Sequence, residues 1–160
     1  MRRVLAVAAT VIATFLLLLV IIVEWMYWGE SPNRRFGTYA EAASAGFTGP
    51  NGWLPEVVPA SAREIRLAYD LDSNQRWARF EFSEIDSSRM LQGLRPISLR
   101  DAAPRRPHWR VRWWPGDLEN EESAGFSFFG PASQPEYAVC LAVSWTRRLA
   151  YAWSCDPRAV

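Results

Sequence analysis

An uncharged run near the start of the chain constrains its architecture more than any other feature. The twenty residues Val4–Val23 carry no charged side chain. As a helix that rises about 1.5 Å per residue, the run would be about 30 Å long, the thickness of a bilayer's hydrocarbon core. It exceeds the apolar region of a secretory signal, about 7–15 residues, and no small-residue cleavage site follows it. We therefore expect an uncleaved transmembrane anchor, in preference to a cleaved signal or a buried core helix.

The residues that flank this run predict its orientation. Trp25, Tyr27 and Trp28 follow it, where an aromatic belt would lie at the membrane–water interface. Arg2 and Arg3 precede it, and the positive-inside rule then favours a cytoplasmic N-terminus. We expect a single-pass protein of the bacterial inner (cytoplasmic) membrane, with the N-terminus inside and the C-terminal domain periplasmic or extracellular.

Composition divides the chain into three parts. Residues 1–28 form the anchor, 29–62 a connector that packs partly on the domain, and 63–160 an extracytoplasmic domain. The connector is rich in Gly, Pro, Ser and Ala, which is typical of loops. One helical turn is predicted within it, around residues 39–45.

Alternating apolar and polar residues predict a first β-hairpin at Ile65–Phe82. A turn at Asp72–Gln75 divides it, since Asp and Asn tolerate the left-handed region. With the turn centred in this stretch, Leu67 lies opposite Phe80, and apolar residues pair across the strands. The other face of the hairpin, which includes Trp77, is expected to meet water.

A second hairpin is predicted at Tyr137–Cys155, and it contains both cysteines of the chain. A two-residue turn at Arg147–Arg148 places Cys140 opposite Cys155, and a four-residue loop with similar pairing is equally compatible. In an oxidising compartment such a pair forms a disulfide that persists. Two buried thiols are the other possibility, whereas the spacing excludes the C-x-x-C arrangement of a redox pair.

The resulting fold class is α+β: a single N-terminal transmembrane helix followed by a small antiparallel sheet with one packed helix. The packed helix is expected at Glu84–Gly93, with Ser83 as its N-cap and acidic residues in its first turn. A further strand is expected at Pro104–Trp114, where the side chains alternate with a period of two.

The basic, aromatic stretch Pro104–Trp114 supplies the candidate interaction surface. On a strand, one face would present His108, Arg110, Arg112 and Trp114 to solvent. Cations interleaved with aromatic rings are found where proteins bind nucleic acids or charged headgroups. An amphipathic strand whose arginines pair with the acidic loop that follows is the alternative interpretation.

The stretch YDLDSNQRWARFE has oxygen-bearing side chains at several ligand positions of a calcium loop but lacks other features of such a loop. Asp70, Asp72 and Asn74 occupy positions 1, 3 and 5, and Glu81 occupies position 12. Position 6 requires glycine and holds Gln75 instead, and the flanks have the period of strands. We therefore predict a hairpin turn here, and no metal, cofactor or catalytic motif in the chain.

The charge balance and the missing catalytic motifs argue against two classes of function, nucleic-acid binding and catalysis. Of the 18 basic residues, 16 lie after the apolar run Val4–Val23 and face 17 acidic ones, so the positive field of a nucleic-acid-binding domain is lacking. We expect a non-enzymatic envelope protein that acts through protein–protein contacts, as an accessory subunit, an adaptor or an immunity-type protein. A binding module for an anionic envelope glycan or lipid headgroup is the alternative. The expected partners are the lipid bilayer and a protein, with no nucleic acid and no small-molecule substrate.

Residues 51–82 carry a pattern of the form G-W-x-P-x-x-x-P-x-S-A-x-x-I, followed by D-x-D-x-N and an aromatic strand. The pattern resembles that of small uncharacterised bacterial membrane-anchored or lipoprotein families, and so do Trp113–Trp114–Pro115 and the terminal hairpin. The resemblance implies an extracytoplasmic α+β module and no particular activity. This chain differs from the pattern in having an apolar run of spanning length and no lipidation cysteine.

Overall fold

The computed structural model describes residues 12–22, 33–102, 107, 111–115, 118, 125–133 and 138–155. The chain forms two compact units, Met1–Ser31 and Pro32–Val160. In the first unit, helix α1 covers residues 12–22, and all of their side chains are exposed. The second unit contains every strand that the structure describes.

The predicted transmembrane anchor is contradicted by the structure. Nowhere in the described ranges is a helix both long enough and apolar enough to cross a membrane. The expectation of a single-pass protein of the bacterial inner membrane is therefore wrong as well. The expected interface residues lie outside the described ranges: Trp25, Tyr27 and Trp28.

The second unit is organised around one antiparallel sheet. Its seven described strands are β1 (Asn33–Thr38), β2 (Arg63–Asp70), β3 (Gln75–Glu81), β4 (Leu94–Pro96), β5 (Ser127–Pro131), β6 (Ala138–Ser144) and β7 (Leu149–Cys155). They lie in the order β1-β2-β3-β7-β6-β5-β4. The chain therefore builds one half of the sheet, crosses to the far edge at β4, and returns strand by strand until β7 pairs with β3.

Short helical segments connect these strands. They are α2 at Tyr39–Ser44, a 3₁₀ turn at Glu84–Asp86, α3 at Ser87–Met90 and α4 at Leu99–Ala102. The single packed helix expected at Glu84–Gly93 is wrong, because the chain makes a 3₁₀ turn and one α-helical turn before Gly93 turns it at φ 75°. The predicted small sheet with one helix is thus corrected to a seven-stranded sheet with several short helices.

One face of the sheet is covered by the segment that precedes β2. Leu67 of β2 is fully buried on this face, and Leu54 belongs to the same apolar cluster. Trp53 stacks on Tyr69 of β2 with ring centroids 4.5 Å apart. Strand β1 and helix α2 also lie in residues 29–62, which were expected to form a connector, and β1 pairs with β2. This segment is thus joined to the domain by the sheet as well as by side-chain packing.

A second apolar layer covers part of the opposite face. Trp77 and Trp153 pair directly across β3 and β7, and they are 1% and 0% exposed. Trp114 packs over Trp153 with ring centroids 5.9 Å apart, and the Trp153 indole N–H donates to the Ala102 carbonyl at 3.2 Å. The face that was expected to meet water at Trp77 is therefore a second core, because indole rings remove a large apolar area from water.

The first hairpin forms with a register two residues from the predicted one. Leu67 pairs with Ala78 and not with Phe80. The four-residue loop 71–74 is centred one position earlier than predicted, and this moves the pairing by two. Because side chains alternate with a period of two, the shift keeps the apolar residues on their predicted face.

Candidate binding surfaces

The predicted interaction surface at Pro104–Trp114 is not a strand where the structure describes it. The chain forms a turn there, in which Arg112 is exposed and Trp114 is only 8% exposed. Trp114 packs edge-on against Tyr151 with ring centroids 5.8 Å apart, so it belongs to the core and is not available to a partner. The other two residues of the predicted surface lie outside the described ranges: His108 and Arg110.

The calcium-like stretch is a hairpin loop held by its own carboxylate. Asp70 Oδ1 accepts hydrogen bonds from the backbone N–H groups of Asp72 at 2.9 Å and Ser73 at 3.3 Å. Asn74 adopts φ 52°, a left-handed conformation that asparagine tolerates better than most residues. Within the described ranges, no cluster of His, Cys, Asp and Glu side chains is arranged to hold a metal ion.

Cys140 and Cys155 form a disulfide bond between β6 and β7, with α-carbons 5.7 Å apart. The two residues are not directly opposite, because Cys140 pairs with Trp153. The loop 145–148 has four residues and is centred one position earlier than the predicted two-residue turn, so the register again moves by two. The bond fastens the end of the hairpin that lies away from this loop.

A groove lies between the β6–β7 loop and the segment that follows β3. Its volume is ≈ 460 Å³. Phe82, Leu91 and Trp145 supply its apolar lining, and Glu84 and Arg148 supply charges of both signs. Hydroxyl groups complete the lining: Ser87, Ser88 and Thr146.

Two exposed apolar side chains belong to the lining of this groove or adjoin it in the sequence. Trp145 of the lining is 37% exposed, and Ile85, the residue after Glu84 of the lining, is 86% exposed. The Trp145 ring is held edge-on by Phe82 at 5.7 Å and by Phe129 at 6.4 Å between centroids. A single exposed apolar residue is ordinary, but apolar residues grouped around a concave surface are typical of contact sites. We name Ile85, Trp145 and the lining of the groove the Trp145 groove.

Three arginines form a line across the other side of the sheet. Arg35 of β1 is directly opposite Arg66 of β2, and Arg66 is directly opposite Arg79 of β3. Directly opposite residues of antiparallel strands point to the same face, so the three side chains share one face. We name Arg35, Arg66 and Arg79 the arginine row.

Two glutamates balance the ends of the arginine row. Arg35 pairs with Glu64 at 2.8 Å, and Arg79 lies 3.8 Å from Glu81. The side chain of Arg66, in the middle, makes no ion pair or hydrogen bond with any other residue that the structure describes. The row and its two glutamate partners therefore carry three positive and two negative charges, and among the described residues the central guanidinium is the one without a partner.

Comparisons with known proteins give one partial similarity. The sequence model of the YbbD head domain matches residues 30–81, which is less than half of the 160 residues. The matched stretch contains the first three strands and all of the arginine row, and it ends before the Trp145 groove. No curated protein and no solved structure matches the chain.

Sequence reasoning placed none of these residues in a site. Alternation correctly separates Arg66 and Arg79 from the apolar face of the first hairpin, but Arg35 lies in the segment interpreted as a connector. Trp145 was expected inside a strand and lies in a loop. The one signal for the groove is Ile85, an apolar residue isolated among Ser, Glu and Asp in the stretch SEIDSS.

Proposed function

We propose that the chain is a non-enzymatic binding module that contacts a protein partner through the Trp145 groove. The observation that carries the proposal is the indole of Trp145, held in place by Phe82 and Phe129 and still 37% exposed. A side chain that is already fixed loses little conformational entropy when a partner covers it. Tryptophan is also among the residues that contribute most to binding energy at protein interfaces.

The composition of the groove indicates what it would receive. The lining combines apolar side chains with charged and hydroxyl groups, and protein interfaces combine the same kinds of residue. Glu84 and Arg148 provide opposite charges, so a partner with complementary charges would be oriented as well as attracted. The occupant that fits is an amphipathic segment of another protein, with apolar side chains on Trp145 and Ile85 and polar residues at the rim.

Site-specific crosslinking tests this proposal. A photoreactive amino acid replaces Ile85 in the full chain, and this variant is expressed in the cells in which the protein naturally occurs. The matched control carries the same group at Leu71, an apolar residue that is 67% exposed in the β2–β3 loop. We expect a defined crosslinked partner from position 85 and none from position 71.

A purified partner then allows the affinity to be measured. Trp145→Ala should weaken binding by about 2 kcal/mol, roughly thirtyfold, because truncation of a central aromatic anchor typically costs this much. Leu71→Ala should leave the affinity unchanged. Equal crosslinking from both positions, or unchanged affinity in Trp145→Ala, would exclude the Trp145 groove as the contact site.

A further inference from the structure

The arginine row is an arrangement that the fold alone does not favour. Adjacent strands lie about 4.8 Å apart, so the α-carbons of three directly opposite residues lie within about 10 Å. Like charges directly opposite each other on neighbouring strands destabilise a sheet. The row lies on β1, β2 and β3, shares no residue with the Trp145 groove, and has a different chemistry.

The ion pairs present reduce this repulsion only partly. The side chains of Arg35 and Glu64 are 64% and 43% exposed, and those of Arg79 and Glu81 are 22% and 50% exposed. Exposed pairs of this kind contribute about 0–1 kcal/mol, since water screens them. Arg66 lies between Arg35 and Arg79 in the register of the sheet and is itself half-buried. An anion above Arg66 would therefore meet positive charge from both sides.

The surroundings of the row strengthen its attraction for an anion. On one side of the row lie Ala68 and Trp77, which are 0% and 1% exposed and belong to the second core. Tyr151 continues the row beyond Arg79 and is 8% exposed. Charge interactions are stronger beside such low-dielectric material than in open water. A guanidinium group can also hold a carboxylate or phosphate through two parallel hydrogen bonds.

We infer that the arginine row binds a multivalent oxyanion, with Arg66 as its central contact and Arg35 and Arg79 on either side. The ligand carries at least two carboxylate or phosphate groups, because a single group cannot reach all three guanidinium groups across the row. Glu64 and Glu81 both lie on the side of the row away from Ala68 and Trp77, so they repel a bound anion from that side and favour its position over the guanidinium groups. The inference is independent of the Trp145 groove, whose residues take no part in it.

Isothermal titration calorimetry of the full chain tests the inference with two probes, sodium tripolyphosphate and sodium citrate. We expect heat of binding that decreases as sodium chloride is raised, since salt screens the attraction. Binding of tripolyphosphate alone assigns a phosphate ligand, and binding of citrate alone assigns a carboxylate ligand. Binding of both supports a general oxyanion site. If neither probe binds at low salt, the inference is wrong.

Variants of single arginines decide whether the bound anion occupies this row. Arg66→Gln should weaken binding about tenfold or more, because it removes a charge-assisted, forked contact. Arg66→Lys keeps the charge but loses the fork, and its affinity should fall between those of Arg66→Gln and the unchanged chain. The matched control is Arg95→Gln, which alters an exposed arginine on the opposite edge strand β4. Equal weakening in Arg66→Gln and Arg95→Gln, with both variants folded by circular dichroism, would overturn the inference.

Discussion

Cys140 and Cys155 are bonded to each other although neither faces the other in the sheet. Cys140 lies opposite Trp153, and Cys155 lies opposite Ala138, so the bond crosses diagonally between β6 and β7. It joins the two strands at the centre of the sheet that are covered on both faces. The bond therefore limits the separation of the core strands in the unfolded chain as well as in the folded one.

Breaking this disulfide should lower the free energy of unfolding by about 3 kcal/mol, the chain-entropy value for a loop of about fifteen residues. Urea unfolding with and without dithiothreitol measures the difference. The control is the double variant Cys140→Ala/Cys155→Ala, whose unfolding should not respond to dithiothreitol. An unchanged midpoint for the natural chain, with two free thiols already present before reduction, would show that the bond does not form.

The segment before β2 is expected to stabilise the domain as part of its core. Leu54 is 3% exposed, and its backbone N–H donates to the Phe47 carbonyl at 2.8 Å. Leu54→Ala should lower the free energy of unfolding by about 2–5 kcal/mol, since it leaves a cavity that the surroundings fill only partly. Glu56→Ala, two residues away and exposed, should change it by less than about 0.5 kcal/mol. Similar values for both variants in thermal or urea unfolding would mean that the segment does not pack as described.

The two arginines of the β6–β7 loop should respond to glycine in opposite ways. Arg148 adopts φ 52°, a left-handed conformation that costs a residue with a Cβ about 1–2 kcal/mol. Arg148→Gly relieves this cost and should raise the melting temperature, even after the flexibility of glycine is counted. Arg147 instead lies over the Phe126 ring at 5.3 Å, and Arg147→Gly should lower the melting temperature. A lower melting temperature in both variants would show that the backbone of Arg148 is not strained.

Much of the local structure could be predicted from the sequence because it depends on alternation and turn chemistry. The apolar faces of the two hairpins and the loop held by Asp70 follow directly from those patterns. The registers could not be predicted, since they depend on where the loop is centred, and one position there moves the pairing by two. Leu67 is therefore on the predicted face with the wrong partner, Ala78.

The remaining features depend on contacts between residues that are distant in sequence. Strand β1, NRRFGT, contains one large apolar residue and becomes a strand by pairing with β2. Trp114 was placed on a wet face by alternation, yet its ring is buried against Tyr151 and Trp153. The apolar run Val4–Val23 satisfies a length rule for membrane helices, but the described residues contain no helix that could span a membrane. The arginine row itself exists only because three strands align.

The balance of charge in the arginine row predicts how Arg66 affects stability. Arg66→Gln removes the central one of three aligned positive charges and should raise the free energy of unfolding by about 0.2–1 kcal/mol at low salt. The gain should shrink in 1 M sodium chloride, where the screening length falls to about 3 Å. Glu64→Gln should have the opposite sign, because it removes the partner of Arg35. Urea unfolding at both salt concentrations measures these effects. If Arg66→Gln instead lowers the free energy of unfolding equally at both salt concentrations, Arg66 stabilises the sheet by packing. The arginine row would then not cost the protein stability.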